Sequence, residues 1–368
     1  MKFTCDKNSF AHEIAFAQEI IASRNALSIM SNVLLEATEG TLSIKATDIK
    51  VSFETSIPIN ASEPGAATVF CDKLSSILST IPEGDIFFEQ EESKVTVKSS
   101  FKKIKFQLKT ISSEKFPELP EETSDKASFS IPAKKFKEMV AQTLFAVSDD
   151  ETRYFMNGVF IEKADEGLVL VATDGRRLSF VKKTFEERIP EFKGVIVPPK
   201  VLGLISKRMS DEGVIDITIT DKNIYFHFGQ YKITSVLIEG QFPNYQKVIP
   251  ESQRNRITLK RADLLDALRR VGIFVEQKSR RTYFAVTDGQ IIISSEESDL
   301  GTAREELSCE YKGPDTTMAL NCKYVEDPLK VMDAEIINID FTEPNRAITI
   351  APEPSEDYFH VVMPMQIE

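Results

Sequence analysis

The side chains best suited to chemistry are spaced too widely to do much of it. Histidine occurs only at His12, His227 and His360, and cysteine only at Cys5, Cys71, Cys309 and Cys322. No His-Glu-x-x-His pair is present to hold a metal ion, and no two cysteines sit close enough in sequence to suggest a zinc site or a disulfide framework. The sequence also lacks a phosphate-cradling Gly-x-x-x-x-Gly-Lys-Ser/Thr loop, a Gly-x-Gly-x-x-Gly turn and a Gly-x-Ser-x-Gly nucleophile elbow. Asp174-Gly175 and Asp288-Gly289 admit two readings: acidic active-site residues, or the tight turns that Asp-Gly forms between antiparallel strands. Acidic pairs such as Glu121-Glu122 read as solvated surface. The expectation is a chain with no catalytic residues, no metal, no cofactor and four reduced thiols.

The elements that would position a site come in three copies. Phe3-Thr4-Cys5-Asp6-Lys7-Asn8-Ser9-Phe10, Phe129-Ser130-Ile131-Pro132-Ala133-Lys134-Lys135-Phe136 and Ile257-Thr258-Leu259-Lys260-Arg261-Ala262-Asp263-Leu264 each read as a short alternating strand feeding an amphipathic helix. Their offsets are 126 and 128 residues. Asp6 and Asp263 stand where a cap or first-turn carboxylate stabilises a helix start. Ala46-Thr47-Asp48 recurs as Ala172-Thr173-Asp174, again 126 residues on. A second helix is expected at 72–80, 199–210 and 323–332, each followed by an acidic or glycine-containing turn and alternating strands. The first two copies close on Phe116-Pro117-Glu118-Leu119-Pro120 and Phe242-Pro243-Asn244-Tyr245. The polar stretches 121–126 and 251–255 mark boundaries, giving domains 1–123, 124–252 and 253–368. The 368 residues are ample for three small cores.

The net charge of −12 argues by itself against a nucleic-acid partner. The charge is unevenly placed, however. The six expected helices (7–22, 72–80, 134–147, 199–210, 260–274 and 323–332) sum to +6 and the remainder to −18. Basic helices on one surface of an acidic protein would attract phosphate there and repel it elsewhere, positioning DNA without reading its sequence. Ordinary compensation of acidic loops by helical Lys and Arg explains the same count.

Several further motifs carry a family pattern. Met1-Lys2-Phe3-Thr4, Glu63-Pro64-Gly65-Ala66, Arg153-Tyr154-Phe155-Met156-Asn157-Gly158, Val171-Ala172-Thr173-Asp174-Gly175-Arg176-Arg177-Leu178, Phe242-Pro243-Asn244-Tyr245 and Val361-Val362-Met363-Pro364-Met365 together resemble the bacterial sliding clamps, the beta subunits of DNA polymerase III. These motifs span all three repeats. The resemblance implies an α+β fold of three tandem DNA-clamp domains, each with two helices packed on antiparallel sheets, forming half of a closed six-domain ring. It implies a head-to-tail homodimer that encircles duplex DNA without sequence specificity and tethers the replicative polymerase. Further implied partners are the clamp loader, the polymerase III alpha subunit and other polymerases or repair proteins, held through short peptides.

The resemblance also assigns residues. Arg24, Lys73, Tyr154, Phe155 and Lys200 are the implied DNA contacts. Asp150 departs from a Gln found in the family, and Pro199 from a second basic residue. A competing reading makes Tyr154 and Phe155 strand residues packed in a core. The implied partner-peptide pocket comprises Met156, Thr173, Gly175, Arg176, Arg177, Leu178, Pro243, Lys247 and Val248, closed by Val361, Val362, Met363, Pro364 and Met365. Flexible methionines suit a site that accepts several peptides. At the dimer joint, Phe106 and Leu108 would meet Ile273 and Phe274, and Lys102, Lys103 and Lys105 would face Asp299, Glu305 and Glu306. Pro328 falls inside the last expected helix, where it would kink or shorten it. The competing functional readings are an enzyme using the acidic loops and a scaffold that binds only proteins. The opening residues lack the apolar stretch of a secretory signal and no apolar run is long enough to span a bilayer, so a cytoplasmic protein is expected.

Overall fold

The structure is a computed structural model describing residues 1–21, 28–122, 127–299, 301–354 and 357–367. It comprises two compact units. The first contains Met1–Lys134 and Lys207–Leu237, the second Lys135–Ser206 and Ile238–Glu368. Among the described residues there are six α-helices: α1 (Lys7–Ile20), α2 (Cys71–Thr80), α3 (Ala133–Thr143), α4 (Pro199–Arg208), α5 (Arg261–Val271) and α6 (Cys322–Val331). All six lie where the repeat pattern expects them. Several expected ranges run a few residues past the observed ends, the third furthest, because Leu144–Ala146 tightens into a 3-10 turn.

Each odd-numbered helix follows directly on a strand: Lys2–Asp6, Ala127–Pro132 or Asn255–Lys260. The switch from period 2 to period 3.6 is sharpest at Asp6, whose carboxylate accepts from the Ser9 amide at 2.7 Å and the Ser9 hydroxyl at 2.8 Å. This satisfies one of the amides that a helix start leaves without a partner. Asp263 instead lies in the first turn of α5, whose start carries no side-chain cap.

The first unit holds two antiparallel sheets. One has five strands in the order Asn60–Glu63, Lys2–Asp6, Asp85–Glu91, Lys94–Ser99 and Lys105–Lys109. The other has eight, in the order Ala127–Pro132, Val214–Ile219, Asn223–Phe228, Tyr231–Val236, Val51–Pro58, Thr41–Thr47, Asn32–Ala37 and Gly65–Phe70. Phe3 stacks on Phe88 with centroids 4.7 Å apart, and Phe10 of α1 meets both rings edge-on. Arg208 lies 5.0 Å from the rings of both Phe16 and Tyr231 and pairs at 2.8 Å with the buried Glu13 carboxylate. Removing either charge would strand the other away from water.

The second unit repeats the plan. Its eight-stranded antiparallel sheet runs Val195–Val197, Val159–Ala164, Gly167–Thr173, Arg177–Thr184, Tyr358–Val362, Ile348–Glu353, Ile336–Phe341 and Asn255–Lys260. A four-stranded sheet runs Arg304–Ser308, Gln290–Ser295, Arg281–Thr287 and Thr316–Asn321. The eight-stranded sheet of each unit joins four strands of the second repeat to four of a neighbouring repeat, through Val51–Pro58 against Tyr231–Val236 and Arg177–Thr184 against Tyr358–Val362.

The four cysteines are free thiols. Burial pushes Cys5 and Cys71 up to about 12, so they act as small apolar side chains. Asp288-Gly289 forms a two-residue hairpin between Thr287 and Gln290, with Gly289 at φ 76°.

Replacing Asp6 with Ala is expected to cost about 1 kcal/mol in urea unfolding, the usual worth of an N-cap. The Ser9 hydrogen bonds hold the Asp6 carboxyl below its ordinary value. The difference between the two proteins should therefore be full at neutral pH and shrink as pH falls through the folded value.

Candidate partner-binding site

The second unit builds its candidate site on the turn between Gly167–Thr173 and Arg177–Thr184. Asp174 Oδ1 accepts from the amides of Arg176 at 2.9 Å and Arg177 at 3.0 Å. Thr173 Oγ1 accepts from the Gly175 amide at 3.1 Å and donates to the Arg177 carbonyl at 2.6 Å. Gly175 sits at φ 86°, and a Cβ added there would meet Arg153 Nη1 at 2.7 Å. Glycine thus satisfies both the left-handed backbone and the approach of the guanidinium. Arg153 ties a second segment to the turn, donating to the Asp174 carbonyl at 3.2 Å and pairing with Asp150 at 2.9 Å. Hydrogen bonds from Thr152 and then Arg153 hold the Asp150 carboxyl down at about 2.

The strand Tyr358–Val362 lies beside this turn, with Leu178 opposite Val361 and Arg177 opposite Val362. Pairing continues past the strand: the Met363 amide donates to the Arg176 carbonyl at 2.9 Å, and the Met365 amide to Ala319 at 2.8 Å. One face carries an apolar cluster of Leu178, Val361, Val169, Val171, Phe242 and Tyr245, flanked by half-buried Phe155, Phe180 and Phe359. Met363, 47% exposed, and Val248, 53% exposed, leave apolar surface open to solvent, and Lys247 is exposed as well. Pro243, Pro364 and Met365 are partly buried, while Gly175 and Arg176 are exposed. Met156, Thr173, Arg177 and Val362 are buried. Val362 points away from Val361 because neighbouring strand residues face opposite sides.

The remaining expected positions divide by location. Lys73 on α2 and Lys200 on α4 are exposed. Arg24 lies outside the described residues. Tyr154 and Phe155 belong to the 3-10 segment Glu151–Met156, not to a strand. Tyr154 is 53% exposed, and Phe155 packs on the apolar cluster. With the observed bounds the six helices carry 13 basic and 8 acidic residues, +5 against −17 elsewhere. In the first unit Lys105, Phe106 and Leu108 lie on an edge strand, with Lys102 and Lys103 exposed just before it. In the second unit Glu305 and Glu306 lie on the edge strand Arg304–Ser308, Asp299 is exposed, Ile273 is 75% exposed and Phe274 37%. Arg270 pairs with Glu305 at 2.6 Å and holds its carboxyl below the ordinary value.

Three family models match the chain: the N-terminal, central and C-terminal domains of the DNA polymerase III beta subunit, over residues 1–120, 130–244 and 246–366. The beta sliding clamp of Treponema pallidum is 43% identical over 372 residues, with all of both chains covered. The chain belongs to the beta sliding clamp family. The crystal structure of the Pseudomonas aeruginosa sliding clamp bound to griselimycin and the structure of the DNA polymerase III subunit beta from Borrelia burgdorferi in complex with a natural product align over all of both chains. Each has a TM-score of 0.93, at 28% and 27% identity. The fold is therefore α+β with three beta-clamp domains, and the role is that of a non-catalytic processivity subunit of DNA polymerase III. Among the described residues no group of three or more His, Cys, Asp or Glu could hold a metal ion, and no helix is long and apolar enough to cross a membrane.

Behind the wall of this clamp's candidate site lies a charge network that sequence reading did not identify. Arg177 pairs with Asp327 at 2.8 Å and Asp174 at 3.1 Å, and donates to the Phe145 carbonyl at 2.6 Å. The Tyr324 ring covers the guanidinium at 4.5 Å. Burial opposes charge on Asp327, but hydrogen bonds from Lys323 and Arg177 prevail and hold its carboxyl below the ordinary value. Tyr324 and Asp327 share one face of α6 at i,i+3 spacing, the one signal that could have grouped them. Pro328 neither ends nor shortens α6, which runs on to Val331. It has no amide to offer the Tyr324 carbonyl one turn back.

His360, opposite Ser179, is fully buried. Burial, aided by the Arg177 charge, lowers its pKa to about 3 from 6.5. An unfolded chain takes up this proton below about pH 6.5 while the folded chain resists it, so stability is full above that pH and declines as pH falls toward 3. The urea midpoint should therefore drop between pH 6.5 and 5, before carboxylates titrate, and His360→Phe should flatten that drop. Parallel pH profiles for the two proteins would contradict this account.

Proposed function

We propose that the chain works as half of a head-to-tail homodimeric ring of six clamp domains, with divisions at 1–123, 124–252 and 253–368, threaded by duplex DNA in the cytoplasm. One observation carries this reading. At both internal joints, the last strand of a repeat pairs with the same strand of the repeat before it: Tyr231–Val236 with Val51–Pro58, and Tyr358–Val362 with Arg177–Thr184. The strands left over by that rule are Lys105–Lys109 and Arg304–Ser308, which are both sheet edges. Two chains joined head to tail satisfy both edges, and a heterologous contact that closes makes a ring. Lys102, Lys103 and Lys105 on one edge and Asp299, Glu305 and Glu306 on the other favour this pairing over self-pairing of like edges. Phe106 and Leu108 would then meet Ile273 and Phe274.

A ring needs weak, sliding contacts with phosphate, supplied by Arg24, Lys73 and Lys200 and by the aromatic pair Tyr154 and Phe155. The turn at Thr173–Leu178, the Pro243–Val248 segment and Val361–Met365 would take short peptides from the clamp loader, the polymerase III alpha subunit and repair proteins. Tethering keeps a polymerase at high effective concentration on its template.

Clamps loaded on nicked circular DNA should be retained and should run off when the circle is cut. Equal retention on circle and linear DNA would reduce the binding to electrostatic attraction. Replacing Met363 and Met365 together with Ala should weaken a labelled polymerase alpha peptide by roughly tenfold or more, the loss expected for truncating anchors in a binding site. Light scattering should still report a dimer. Unchanged peptide affinity would mean that the peptide binds elsewhere.

A further inference from the structure

The first unit contains a joint built on the same hydrogen bonds as the candidate peptide site. Asp48 Oδ1 accepts from the amides of Lys50 at 3.0 Å and Val51 at 2.7 Å, as Asp174 does from Arg176 and Arg177. Thr47 Oγ1 accepts from Ile49 and donates to Val51, each at 3.0 Å, repeating the part of Thr173. The Val236 amide donates to the Lys50 carbonyl at 2.8 Å, as Met363 does to Arg176. Ser52 stands opposite Thr234 and Glu54 opposite Lys232, where the second unit has Leu178 opposite Val361 and Phe180 opposite Phe359. The two joints match residue for residue in backbone, and four apolar side chains of one are polar in the other.

Between this joint and the segment that closes the first repeat lies a groove of about 260 Å³, lined in part by Glu54, Leu119, Glu122, His227, Lys232 and Thr234. The ion pairs along it are long: His227 to Glu122 at 3.6 Å and Lys232 to Glu54 at 3.9 Å. Near the joint, Ile49 is 69% exposed at φ 75° and Val236 is 39% exposed. A β-branched residue held in the left-handed region costs about 1–2 kcal/mol, and such strain tends to collect at functional positions.

We propose that this groove is a second docking site, for an extended segment of a partner protein that carries a basic side chain beside apolar ones. A guanidinium would reach Glu54, which stands 3.9 Å from Lys232 and 4.0 Å from Lys45, and Glu122 in the same lining, with its methylenes on Leu119. The flanking apolar residues would cover Ile49 and Val236. The two joints would then discriminate partners by lining alone, apolar in one and charged in the other.

The test uses the full-length clamp and the fluorescein-labelled peptide Gly-Leu-Ser-Arg-Ser-Leu-Gly, read by anisotropy. Saturable binding is expected for the natural protein and equally for the Met363→Ala/Met365→Ala variant. Glu54→Gln/Glu122→Gln should weaken it by about tenfold per carboxylate, the usual scale for a lost charge-assisted contact. Glu83→Gln/Glu92→Gln, which removes two exposed acids elsewhere in the first unit, should leave it unchanged, and every variant should keep the circular dichroism spectrum of the natural protein. A peptide with Glu in place of Arg should not bind. Absence of saturable binding, equal loss in the Glu83/Glu92 variant, or full affinity in the Glu54/Glu122 variant would overturn the proposal. Loss of binding in the methionine variant would place the peptide in the second unit's site and also overturn it. Failure of the polymerase peptide to respond to the methionine variant would sink only the earlier assignment.

Discussion

The structure depends on main-chain pairing between neighbouring repeats. A strand that ends one repeat completes a sheet begun by the repeat before it, so each eight-stranded sheet is common property of two repeats. Main-chain hydrogen bonds form with little regard to side-chain identity, which lets the two joints share a backbone and differ in lining. Register also fixes which face of the sheet each side chain takes: a slip of one position would move Leu178 and Val361 off the apolar cluster and put Arg177 on that side. The buried contacts of Arg177 with Asp327, Asp174 and the Phe145 carbonyl oppose any such slip, because each would leave a charge or carbonyl without its partner.

Much of this was legible in the sequence because repetition multiplies weak signals. One strand-to-helix switch is ambiguous, but three at offsets of 126 and 128 residues locate all six helices. Asp174-Gly175 and Asp288-Gly289 resolve as turns for a reason stated in the residue types: glycine takes the positive φ in both, and Asp174 bonds the following amides. The burial of Cys5 and Cys71 likewise agrees with inert thiols.

What escaped is set by distance along the chain and by local geometry. Asp327 lies 150 residues from Arg177, and no periodicity connects them. The alternation of a strand puts Val361 in the apolar cluster and Val362, buried as well, on the opposite face, a division that the sequence pattern of the two valines does not announce. One of the two readings of Tyr154 and Phe155 places them on a strand packed in a core. The Asp150 carboxylate, bonded to Thr152 and Arg153, instead winds the segment into a 3-10 turn.

The unlike charge of the two free edges has a consequence for fidelity of assembly. If the proposed ring forms, the lysine-bearing edge would repel its own kind at low ionic strength and reject that wrong encounter before any strand pairs, whereas Glu305 and Glu306 of the other edge are already paired with Arg270 and Arg304. Salt shortens the reach of that repulsion from tens of ångströms to a few. The backbone groups of Lys105–Lys109 and Arg304–Ser308 remain as adhesive as before, since hydrogen bonding between strands is blind to charge. Concentrated salt therefore removes the proofreading and leaves the glue, and like edges that ordinarily avoid one another become competent to stick.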